Sequence, residues 1–176
     1  MVAFYEGALE ILAEDGYGGL KLAAVCQRLG VTTGAFYHHF DSWAEFTRQL
    51  LDHWHAERTT RLVAVVNQEP DARTRLKLLL ETATTLPHTV EGAIRVWSNI
   101  DPDVERVQAA VDRERMDVVR ATYESLVSPD EAEHFARTSL YLLTGHELGG
   151  EQRNEETLAW ALQLLITSGS AGNESG

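Results

Sequence analysis

Lysine is almost absent: of 15 basic residues only Lys21 and Lys77 are lysines, against 27 carboxylates, for a formal charge of −12. That balance excludes a broad basic surface for nucleic acid or anionic membrane, though not a small local patch. Cys26 is the only cysteine, which excludes an intramolecular disulfide framework and a cysteine-only zinc site. No apolar run approaches the roughly 20 residues that span a bilayer. The first residues, MVAFYEGALEILAEDG, lack the basic region and cleavage site of a secretory signal, so a cytoplasmic location is expected. The four prolines, Pro70, Pro87, Pro102 and Pro129, all fall at expected helix boundaries.

What is present is helical periodicity. With 176 residues, 44% of them apolar, the chain can bury roughly 70% of its unfolded surface. Tyr5, Ala8, Leu9 and Leu12 repeat at three and four, which predicts a first amphipathic helix ending at Asp15-Gly16. A short helix spans Leu22 to Leu29, and a brief aromatic one ends at Phe40. Ser42 and Glu45 have the spacing of a capping box. From there Trp43, Phe46, Leu50, Trp54, Leu62 and Val65 predict one long helix to about Asn67. Beyond Glu69-Pro70 come a helix through Leu76, Leu80 and Leu86 and a short piece from Glu91 to Ser98. A long helix then starts at Asp101-Pro102 and another at Ser128-Pro129; Asn154 caps the last. No useful strand alternation appears. The expectation is an all-α chain of about nine helices.

The informative stretch is Leu20 to Phe40. Two short helices joined by Gly30-Val31-Thr32 make a helix-turn-helix. Gly30 suits a positive φ, Val31 plugs the turn, and Thr32 is a good N-cap. The second helix turns Thr33, Ala35 and His38 outward and Phe36 and Phe40 inward. Small and hydrogen-bonding side chains there can reach base edges in a major groove, with Tyr37 and His39 placed for phosphates.

Residues 8–46 resemble the N-terminal domain of TetR-type transcriptional regulators, most specifically in LGVTTGAFYHHF followed by a capped helix. The resemblance implies that Thr32 caps a recognition helix and that Thr33, Ala35 and His38 read bases. It also implies that Gly34 allows close approach to DNA, that Tyr37 and His39 contact phosphates, and that the last two helices form a homodimer. Trp43 stands where the family usually has a phosphate-binding lysine. Lys21 stands where a threonine or serine usually caps helix two, and can itself reach a phosphate. Residues 1–50 carry three cations against six carboxylates, so weak non-specific binding is expected.

The expected organisation is a DNA-binding domain over 1–42, a connector helix over 43–68, a ligand-binding and dimerisation domain over 69–167, and a disordered tail over 168–176. Trp54, His88, Arg95, Trp97, Tyr123 and Tyr141 are the candidates for lining a small-molecule cavity; aromatic core packing explains each one equally well. Metal is not expected. Glu131-x-x-His134 is half of a di-iron signature without its second copy, and His146-Glu147 begins a zinc-protease motif without its second histidine. No cofactor is implied. The reading is a non-enzymatic, ligand-responsive repressor that binds an operator in double-stranded DNA and releases it on binding a small molecule. Two alternatives fit the same helices: a helical dimer that has lost DNA binding, and a helical-bundle enzyme.

Overall fold

A computed structural model describes residues 1–171. Every regular element among them is helical: α1 (Val2–Gly19), α2 (Leu22–Leu29), α3 (Thr33–Tyr37), α4 (Trp43–His55), α5 (Arg61–Gln68), α6 (Ala72–Thr85), α7 (His88–Ser98), α8 (Pro102–Tyr123), α9 (Pro129–Glu147) and α10 (Glu155–Ala171). No helix among the described residues is long and apolar enough to cross a membrane.

Local chemistry sets the helix ends as the sequence predicts. Thr32 Oγ1 accepts from the Ala35 N–H (3.1 Å), Ser42 Oγ from the Glu45 N–H (3.0 Å), and Asn154 Oδ1 from the Thr157 N–H (2.7 Å). Ser128 and Glu131 close a full capping box. At Ser42 the box is shifted: Glu45 accepts from the Asp41 N–H instead (2.7 Å). Gly16 kinks α1 with φ 65° and ψ −169°, a region open to glycine almost alone.

The expected connector is not one regular helix. A π turn, Ala56–Thr60, separates α4 from α5. Its extra residue per turn slips the phase of the buried stripe. Val65, expected inside, is 53% exposed, and Val66 is 2% exposed instead.

Two compact units emerge. The first comprises Met1–Ala56 and Pro87–Gln108, the second Glu57–Leu86 and the chain from Ala109 onward. These differ from the sequence division, which placed everything from 69 to 167 together. The reason is α7, which packs on α1; Trp97 stacks on Tyr17 with ring centroids 4.8 Å apart.

The first unit is held by an aromatic cluster. Phe36 and Phe40 from the segment of α3 meet Phe4 of α1 and Phe46 of α4 at centroid separations of 4.9–5.8 Å. Trp43 lies 5.1 Å from Phe46. In the second unit Leu86, Leu143, Leu158 and Leu162 form one core cluster, and Leu76, Tyr123 and Ala132 another. The last helix runs past Ser168, where the tail was expected to begin. Gly169 is buried, and a Cβ there would stand 2.6 Å from Tyr123 Cε1. Glycine therefore lets α10 close on α8. The rest of the expected tail, 172–176, lies outside the described residues.

His146, half-buried near the end of α9, has its pKa lowered, by burial first and by Arg153 second. A lowered histidine pKa stabilises the fold fully above the ordinary value of about 6.5, and this contribution is lost as pH falls through the lower folded value. In a proton NMR titration the His146 ring is expected to reach its midpoint below 6.5, and His146→Gln to flatten the acid side of the melting-temperature profile.

Candidate functional site

The helix-turn-helix is built by backbone geometry. Gly30 closes α2 at φ 65°, ψ 30°, and the Val31 N–H donates to the Cys26 carbonyl (3.0 Å). Cys26 is buried, as a small hydrophobe on an apolar face. Phe36 anchors α3 with 0% exposure. Anchoring by Phe36 leaves Thr32, Thr33, Gly34, Tyr37, His38 and His39 on the surface and Ala35 half-buried beside them. Lys21 is exposed at the N-cap position of α2 and makes no side-chain cap. Seven of the eight sequence candidates for DNA thus lie on one short segment, Thr32 to His39, and Lys21 stands apart from it in sequence at the start of α2. Gly34 has a negative φ and open space around it: a Cβ would meet only Thr32 Oγ1, at 3.7 Å. The fold itself does not demand glycine there.

Charge is sparse around this surface. Arg28 is held by Glu10 and Glu14 (3.2 and 3.0 Å), and that pairing lowers the Glu14 pKa. Arg48 pairs with Asp52 (3.1 Å). Trp43 is packed against aromatic rings, where no lysine side chain would gain as much.

The six candidates for a ligand cavity are divided between the two units, four in the first and two in the second. Trp54 is fully buried, and its indole N–H donates to buried Glu91 (2.8 Å). His88, Arg95 and Trp97 are likewise buried in the first unit. Tyr141 is 65% exposed on α9. Of the six, Tyr123 lines the cavity of the second unit. That cavity lies wholly within the second unit, measures about 100 Å³ inside about 850 Å³ of non-atom space partly open to solvent, and is walled mostly by leucine and valine. Tyr123 stacks on Phe135 (4.8 Å), and burial pushes its pKa up to about 12, so its hydroxyl stays neutral.

Sequence reasoning missed Arg58, Thr59, Thr82, Ser139 and Arg115 among the polar groups of the wall. Arg115 Nε donates to Thr59 Oγ1 (3.1 Å), and Arg115 also pairs loosely with Glu147 (3.5 Å). The π turn displaced Arg58 and Thr59 from the register that a regular helix implies. Arg115 belongs to the charged run Asp112-Arg113-Glu114-Arg115, a pattern that in sequence reads as a solvated helix face.

The helix-turn-helix is the N-terminal part of an all-α chain, and both parts have counterparts among known proteins. Residues 4–50 match the profile described as "Bacterial regulatory proteins, tetR family". A transcriptional regulator from Rhodococcus sp. Rha1 superposes with a TM-score of 0.80 at 20% identity, over 97% of this chain and 96% of that one. A TetR transcription regulator from Haloarcula marismortui gives 0.76 at 17% identity, over 95% and 96%. A putative transcriptional regulator from Saccharomonospora viridis, solved in complex with choline, gives 0.78 at 18% identity, over 94% of each chain. No curated protein matches by sequence.

Proposed function

We propose that this chain is a homodimeric, ligand-responsive repressor that reads a palindromic operator with α3. The observation that carries the reading is the exposed face of α3: Thr33, Gly34, Ala35 and His38 stand beside Tyr37 and His39, over an aromatic anchor, in a segment of the tetR family. In this reading Thr33 and His38 contact base edges, and Lys21, Tyr37 and His39 contact phosphates. The partner is a second copy. Ala132, Ala136, Leu143, Leu158 and Leu162 are spent on the unit's own core, whereas Tyr141 on α9, Leu148 just after it, and Trp160 and Leu164 on α10 remain 47–65% exposed. Two packed helices with such a face suit a two-fold interface.

The effector role falls to the cavity of the second unit. A ligand there would favour a spacing of the two α3 helices other than the roughly one DNA turn needed for successive major grooves. The Saccharomonospora protein with choline bound shows that a protein of this fold takes a small molecule.

Selection from a randomised duplex pool, at low salt and without added ligand, tests the reading. Enrichment of a palindrome with half-sites about one turn apart supports it; no enrichment from intact dimer overturns it. The salt dependence of binding to the selected duplex should also be shallow. Lys21 is exposed and makes no ion pair among the described residues, while Arg28 and Arg48 are paired. At about 0.9 per neutralised phosphate, the log–log slope for a dimer should stay under about 4. A collapse by several decades between low and physiological salt would contradict this.

A further inference from the structure

The chemistry of the second-unit cavity restricts what enters it. Its wall carries two arginines, Arg58 and Arg115, and not one aspartate or glutamate, in a chain with a formal charge of −12. The two arginines differ. Arg115 is engaged by Thr59 and Glu147. Arg58 is half-buried and makes no hydrogen bond or ion pair among the described residues. It sits with Thr59 on the π turn, Ala56–Thr60. The remainder of the wall is aliphatic apart from Tyr123, Thr59, Thr82 and Ser139.

We propose that this cavity takes an amphipathic monocarboxylate, with an aliphatic body in the leucine and valine wall and its head on Arg58. The proposal deepens the effector role assigned above. A carboxylate is the charge-assisted partner that a guanidinium otherwise lacks here. Each methylene buried in the wall tightens binding by about fourfold. A quaternary ammonium such as choline finds the wrong charge, and with Tyr123 as the one aromatic ring of the wall it finds no cage of π faces.

Calorimetry on the full chain tests this with three probes built on an eight-carbon chain: octanoate, octan-1-ol and octyltrimethylammonium, with hexanoate and decanoate covering tail length. Octanoate is expected to bind roughly tenfold or more tighter than the alcohol, because a hydrogen bond to a charged group carries at least that much, and the ammonium is expected to bind weakest. Arg58→Gln should bring octanoate to the level of the alcohol and leave the alcohol unchanged. Leu140→Trp, which fills the cavity, should weaken all three, with circular dichroism melts showing that both variants fold. The proposal is overturned if no carboxylate of the series binds at millimolar concentration, if the alcohol binds as tightly as octanoate, or if the preference survives Arg58→Gln. The DNA selection is independent of these titrations. A palindrome without carboxylate binding removes the ligand class and keeps the regulator; carboxylate binding without a palindrome does the reverse.

Discussion

Trp54→Ala is expected to cost about 3–5 kcal/mol of stability, the range for emptying a buried large aromatic. The indole is fully buried on α4, and its N–H donates to Glu91 of α7, itself 1% exposed. The truncation opens a cavity and removes the indole donor from a buried carboxylate. For a chain of this length the melting transition should fall by about ten degrees or more. Trp54→Phe separates the two causes: it refills much of the volume but leaves Glu91 without the indole donor. Thermal melts followed by circular dichroism decide the matter. A loss under about 1 kcal/mol for the alanine variant would contradict the packing described for the first unit.

Gly34→Ala is expected to act in opposite directions on stability and on DNA. Gly34 has an ordinary helical backbone and room for a methyl group, so alanine should stabilise α3, by up to about 1 kcal/mol. Against DNA the same methyl group intrudes where the backbone approaches the duplex, and affinity for the selected palindrome should fall roughly tenfold or more, a loss of about 1.4 kcal/mol. His38→Ala should remove about 1–3 kcal/mol of discrimination between palindrome and unrelated duplex. Fluorescence anisotropy with labelled duplex measures both. A Gly34→Ala protein that binds as tightly as the parent would move the DNA surface away from α3.

Local signals made the helix-turn-helix readable in the sequence. A left-handed Gly30, the Thr32 cap and the buried Phe36 and Phe40 each depend on near neighbours, and such determinants survive in a linear reading. The caps at Ser42, Ser128 and Asn154 were legible for the same reason. The cavity of the second unit was not. Its wall draws on α5, α6, α8, α9 and α10, and apolar stripes facing a cavity look the same in sequence as stripes facing a filled core. Aromatics were the wrong guide: Trp54 and Trp97 are packing residues of the first unit, and Tyr141 is on the surface. The π turn hid Arg58, because periodicity arguments assume 3.6 residues per turn throughout. Gly169 read as part of a flexible tail, yet its missing Cβ is what admits Tyr123.

The central claim is that DNA on α3 and a small molecule in the second unit exclude one another energetically. The most direct measurement is the linkage between them. Affinity for the selected palindrome is measured with and without a saturating cavity ligand, octanoate or another compound that calorimetry identifies, and ligand affinity is measured with and without the palindrome. The account predicts that each weakens the other by the same factor, because coupling free energies are reciprocal. A ligand that fills the cavity and binds free and DNA-bound protein equally would contradict it.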